Sequence, residues 1–185
     1  MRILVGVLPA MVVPFLGSLF YFALYPGTVF GTILYTVSKS FLVFWPIVAV
    51  GLIERKALRI RPIEWGRHFQ AIPFGVLVGI LIAAAMIVSF FYSPLGDYVR
   101  QHTDKIYSQI ERIGVLDIFI PFGIVICFVH SLLEEYYWRW YVFGRLNKIL
   151  SFVPAVLVSS LAFAAHHYVI LSQYFSLSGI VGFGT

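Results

Sequence analysis

The sequence predicts an all-α fold, a polytopic transmembrane helix bundle of about five spans plus the start of a sixth. Three observations carry this. Of 185 residues, 61% are hydrophobic and only 11% charged, against about 45–50% and about 25% in soluble domains. Mean hydropathy is +0.93, too apolar to coat a water-facing surface. The apolar residues also gather into runs that match the roughly 20 residues a helix needs to cross a bilayer.

The first run, 3–25, carries Pro9 and Pro14 and is followed by no small-residue cleavage site. It reads as a retained anchor helix rather than a signal peptide. After the uncharged link Tyr25-Pro26-Gly27-Thr28 comes 29–53, with Lys39 in its middle beside Thr36-Val37-Ser38. The third span is 71–92. A turn, Ser93-Pro94-Leu95-Gly96, then opens a loop in which Val99, Ile106, Ile110 and Ile113 are partly spaced as in a helix. That spacing predicts an interfacial helix over 98–113 on the outer membrane surface. The fourth span, 115–133, runs on as helix towards Leu146, and Ser151 and Pro154 mark the start of the fifth, 152–171. Spans four and five form a helical hairpin. A further apolar stretch starts near Tyr174 and reaches Thr185 before it could span. No repeat interrupts the pattern, and one membrane domain covers 1–185. The lone cysteine, Cys127, lies in the fourth span. It excludes a disulfide scaffold and reads as a buried structural thiol.

Charge placement sets the expected topology. The 54–70 loop holds Arg55, Lys56, Arg59, Arg61 and Arg67 against Glu54 and Glu64, and Arg145 and Lys148 follow the fourth span. Loops rich in Lys and Arg face the cytoplasm. The expectation is an integral multi-pass protein of a bacterial-type plasma membrane, with its N-terminus and the 139–151 turn cytoplasmic. The basic loop reads as an orientation signal, with no nucleic acid among the partners.

Ionisable residues at membrane depth cost about 2.5–3.5 kcal/mol each on the insertion scale, so they mark function or a specific partner. Here they are Lys39, Asp117, His130, Glu134, Glu135, Arg139, His166 and His167. Asp117 is near enough to a helix end to reach the headgroups. The last six fall on two helices joined by one short turn, with Glu134-Glu135 at the membrane end of the first. At about 100° per residue, Glu135 and Arg139 can pair, while His130 and Glu134 share the adjacent face. One carboxylate is thereby neutralised and Glu134 is left to act as a base. On the fifth span Phe163 and His167 share a face, and His166 points about 100° away. A histidine facing Glu134 across the hairpin makes an acid–base pair that can hold and activate a water.

Glu134-Glu135-Tyr136-Tyr137-Trp138-Arg139 reads as E-E-x-x-x-R, and Phe163-Ala164-Ala165-His166-His167 reads as F-x-x-x-H, 28 residues from Glu135 to Phe163. In that order and on consecutive spans, the motifs resemble those of the CPBP family of intramembrane proteases. That family includes CAAX prenyl endopeptidases of the Ras-converting-enzyme type and Abi-type self-immunity proteins. The resemblance covers about 118–185 and implies a membrane-embedded endopeptidase, a metalloprotease-like hydrolase. Its partners would be the lipid bilayer and a peptide or protein substrate near the cytoplasmic face. It implies Glu134 as the general base, His167 as its partner in holding water or metal, and Glu135 and Arg139 as the supporting pair. A divalent ion such as zinc and a metal-free mechanism are both described for such proteins. Any metal here would take Glu134 and His167, with His130 or His166 as a weaker third ligand. The family's third motif, a histidine followed four residues on by Asn or Asp, has no counterpart after His167. The expectation is therefore a C-terminally truncated chain lacking part of its site. A proton- or ion-coupled transporter using the same charges, or a scaffold without catalysis, is the alternative.

Overall fold

The computed structural model describes residues 2–55 and 65–174, all helical apart from short links. In chain order these are α1 (Arg2–Ser18), α2 (Val29–Val48), α3 (Trp65–Tyr92), α4 (Pro94–Gln101), α5 (Thr103–Ile113), α6 (Phe119–Glu134), the single turn α7 (Gly144–Leu146) and α8 (Phe152–Tyr174). Three π-helical stretches extend them: Leu19–Leu24 after α1, Ala49–Ile53 after α2 and Glu135–Phe143 between α6 and α7. Among the described residues, five helical stretches have the length and composition to cross a membrane: Arg2–Leu24, Val29–Ile53, Phe69–Tyr92, Leu116–Leu146 and Phe152–Gln173. The all-α, five-span expectation holds. The apolar stretch beyond Tyr174 lies outside the described residues, as do Lys56, Arg59, Arg61 and Glu64 of the basic loop.

Large apolar side chains remain exposed along these helices, among them Val29, Leu52, Leu132 and Leu161, each at least 69% accessible. Water would penalise such a surface, whereas lipid is its natural solvent. Cys127 belongs to this exposed band on α6 rather than to the core, contrary to the expectation of a buried thiol.

One compact unit comprises Met1–Leu58 and Arg112–Gln173. The turn into α2 needs Gly27, whose φ of +73° side chains disfavour. Thr28 then caps α2, its hydroxyl oxygen accepting the Gly31 N–H at 3.0 Å. α1 and α2 approach closely because Gly17 leaves room for Ser38, whose hydroxyl donates to the Val13 carbonyl at 3.3 Å. The Trp45 indole donates to the Gly6 carbonyl at 2.7 Å.

The aromatic run after Glu135 locks the fourth span onto this pair. Tyr137 and Tyr141 are essentially inaccessible, packed with Val7, Ala10 and Ala49. The Tyr137 hydroxyl donates to the Ala10 carbonyl at 2.8 Å. Pro14, four residues on, has no N–H to offer that carbonyl, so the tyrosine supplies the donor that the proline removes. Tyr136 likewise donates to the Val43 carbonyl at 3.0 Å. α8 is held by rings: Trp138 lies edge-on to Phe163 and stacks on His166, and Phe143 meets Phe152 edge-on.

Glu54 and Arg145, read from the sequence as loop charges, are both buried. Arg145 Nε lies 2.8 Å from Glu54 Oε1, joining the end of the second span to the end of the fourth. Arg145 also faces the Trp140 and Tyr141 rings. Burial this deep leaves a charge no option but a partner.

The second unit comprises Arg59–Glu111 with Tyr174–Thr185. In it α3 ends at Tyr92 and Pro94 starts α4 at a position where a missing N–H costs nothing. Gly96 sits against the Phe90 carbonyl with no space for a Cβ. Arg100 pairs with Asp97 at 2.7 Å and donates to the Phe90 carbonyl at 3.1 Å. This ties α4 back onto α3, and the single interfacial helix expected over 98–113 is instead two, broken at His102.

Two stability outcomes follow from the first unit. Tyr137→Phe should cost about 1–3 kcal/mol by leaving the Ala10 carbonyl unpaired, and Pro14→Ala should recover most of it by restoring the helical N–H. Thermal unfolding in lipid nanodiscs measures both, and a neutral Tyr137→Phe change would refute the pairing. Arg145→Met alone should cost about 3–5 kcal/mol, and the double change with Glu54→Leu should return near wild-type stability. The same unfolding curves decide it, since equal losses for the single and double variants contradict a compensated pair.

Candidate active site

The two glutamates do not end the fourth span. They sit at the junction of α6 and the π-helical stretch, inside a 31-residue apolar helix. Counting back from Leu146, Glu134 is roughly 18 Å up the hairpin, and His167 is roughly 22 Å along α8 from Phe152. The two therefore stand at similar heights. A π register widens a helix and is often found where a side chain must be re-aimed. Here it begins at Glu135, the second residue of the E-E-x-x-x-R motif.

Glu134 is mostly buried, and its Oε1 lies 3.1 Å from His130 Nε2 and 3.7 Å from His167 Nε2. The His130 contact is the expected one on the helix's own face, and the His167 contact bridges to α8. On His167 the other ring nitrogen, Nδ1, is 3.1 Å from the Phe163 carbonyl. A carbonyl oxygen can only accept, so Nδ1 carries a proton, and this contact turns Nε2 towards Glu134. The phenylalanine of F-x-x-x-H thus contributes its backbone carbonyl to fix the histidine. Its ring contributes too, packing 4.5 Å from the His167 imidazole and edge-on to Trp138.

Glu135 pairs with Arg139 at 3.0 Å, as the four-residue spacing predicts, and both side chains are more than half exposed. That pair stays separate from the His130–Glu134–His167 cluster. Glu134 itself lines two cavities. One, of about 160 Å³, is lined by α1, α2 and α6 residues with His166 and includes Lys39, Ser38, Tyr35 and His130. The other, of about 490 Å³, contains Glu135, Arg139, Ser159 and Phe163 between the fourth and fifth spans. The Trp138, Phe163 and Phe152 rings hold those spans apart, which keeps the larger space open.

Sequence reasoning undervalued His166. Its ring is buried, stacked flat on Trp138 and 4.0 Å from the His167 ring. Although adjacent positions on a helix diverge by about 100°, both imidazoles come near the Glu134 carboxylate. The ligand atoms of Glu134, His166 and His167 all lie within 4.8 Å of one another. Two imidazoles and a carboxylate, one imidazole with its second nitrogen tied to a carbonyl, form the kind of donor set that catalytic zinc uses. His130 stands in contact with Glu134 but outside that set. The signal in the sequence was the His166-His167 tandem opposite a tryptophan.

A family model described as type II CAAX prenyl endopeptidase, Rce1-like, matches residues 116–185. The chain is also 29% identical over 120 residues to the membrane-embedded CAAX protease MroQ of Staphylococcus aureus (strain USA300). That alignment covers 59% of this chain and 46% of the relative, so the chain spans about half the relative's length. No solved structure matches. The matched segment contains both motifs and the Glu134–His167 contact, and over that segment the chain is similar to membrane-embedded proteases of the CAAX type.

Proposed function

We propose that the chain is an intramembrane endopeptidase of the CAAX-protease type in which Glu134 is the general base. The observation that carries this reading is a carboxylate at membrane depth contacted by one imidazole on its own helix and another across the hairpin. His130 Nε2–H donates to Oε1 and steadies the carboxylate. A water between Glu134 and His167 gives its proton to Glu134 and a hydrogen bond to the His167 Nε2 lone pair. Its oxygen then attacks the scissile carbonyl carbon. Glu134 returns the proton to the departing amine, as a general acid must once it has acted as base. Glu135 is neutralised by Arg139, whereas no arginine or lysine nitrogen among the described residues lies within 4 Å of Glu134.

A divalent ion such as zinc, if bound, would be held by Glu134, His166 and His167 and would acidify a bound water. The protein residues' tasks of orienting the water and moving its proton stand in either case. The substrate we infer is a peptide or protein segment presented near the cytoplasmic face of a bacterial-type plasma membrane. The basic 54–70 loop supports that orientation. The relatives' CAAX designation supports a substrate cut close to its C-terminus.

In proteoliposomes supplied with a membrane-anchored peptide, Glu134→Gln should lower cleavage about 10²–10⁴-fold, the usual weight of a general base. His167→Ala should produce a loss of at least about 10²-fold, with both variants inserted normally. Product mass spectrometry reads the result, and wild-type cleavage by Glu134→Gln would sink the assignment. Absence of cleavage together with a proton flux abolished by these changes would indicate a transporter instead.

A further inference from the structure

Lys39 stands outside the matched segment 116–185 and in none of the motifs, yet it lines the same small cavity as Glu134, His130 and His166. It comes from α2, whereas His166 comes from α8. A lysine in the middle of a span costs about 2.5–3.5 kcal/mol unless something uses it. No carboxylate among the described residues lies within 4 Å of its ammonium, in contrast to Arg145, Arg139 and Arg100, each of which has one. What holds it is the Tyr35 ring, whose centroid is 5.1 Å from Nζ. That contact orients a cation without consuming its N–H donors. Ser18 and Ser38, both buried, complete a polar wall.

The cavity's 160 Å³ corresponds to about five waters, at about 30 Å³ each. That is room for a water and a peptide carbonyl. A base and a cation lining one cavity suit acyl hydrolysis, because attack by water moves an electron pair onto the carbonyl oxygen.

We propose that Lys39 is a catalytic residue of this hydrolase, its ammonium holding the oxyanion formed when water activated by Glu134 adds to the scissile carbonyl. This rests on the hydrolase reading above. As the water O–C bond forms, the water proton passes to Glu134 and the carbonyl π pair becomes the oxyanion facing Nζ. When the tetrahedral centre collapses, that pair re-forms the C=O bond, the C–N bond breaks and the amine takes the proton from Glu134. Lys39 remains protonated throughout and transfers nothing. It acts only by charge and hydrogen bonding, more strongly in a water-poor cavity than in solvent.

The test compares wild type with Lys39→Met, an apolar near-isostere suited to the span, in proteoliposomes with the membrane-anchored peptide. Lys39→Met should lower kcat about 10²–10³-fold, as loss of an oxyanion donor does, with KM within about threefold of wild type. A purely structural lysine would not divide the effect in that way. If Lys39→Met fails to accumulate in the membrane, Lys39→Ala is assayed with added ethylammonium. A saturable return of rate then supports the role and an unchanged rate overturns it. Wild-type kcat in Lys39→Met, or a change confined to KM, removes this assignment and leaves the hydrolase reading in place. A wild-type protein that cleaves nothing removes both.

Discussion

A phenol buried at membrane depth has no water to bond, and Tyr137 meets that constraint on the Ala10 carbonyl that Pro14 has left without its helical donor. Much of the first unit depends on this exchange. It fixes the rotation of the fourth span against the first, and thereby the direction in which the residues just before Tyr137 point. Tyr136 on Val43 and Trp45 on Gly6 add two more side-chain-to-backbone bonds between the same helices. In lipid, where apolar contact alone discriminates weakly between helix orientations, such bonds select one arrangement.

The consequence appears one turn earlier. With Tyr137 and Tyr141 turned inward onto α1 and α2, Glu134 is left at the wall between two cavities, and Glu135 is turned to the side where Arg139 reaches it. The three intervening residues of E-E-x-x-x-R are therefore structural in this chain: two tyrosines that anchor the helix and a tryptophan that spaces α8. Trp138 touches both Phe163 and His166, so the spacer also positions the second motif. Chemistry and packing share the same few residues, and substitutions there would disturb both.

Charge is distributed with comparable economy. Arg145, Arg139 and Arg100 are each matched to a carboxylate, whereas no carboxylate among the described residues lies within 4 Å of the cationic residue of the small cavity. The buried Glu54–Arg145 pair ties together two span ends and takes two charges out of the loops, which alters the arithmetic of the positive-inside rule without reversing it.

The sequence by itself determined the class of fold, because hydropathy over runs of about 20 residues follows directly from the length a bilayer demands. It also determined the Glu135–Arg139 and His130–Glu134 contacts, since a four-residue spacing on a helix is a distance. Tertiary structure alone decided that Glu54 and Arg145 form a pair, that Cys127 faces outward, and that the 98–113 segment folds as two helices. It alone brought His166 onto Trp138 and Lys39 into the cavity of Glu134. Each of these depends on which face a helix turns towards a neighbour far away in the chain. Within a span nearly every face is apolar, so hydropathy carries little information about that rotation. It is set by the few tyrosine, tryptophan and serine bonds that join one helix to another.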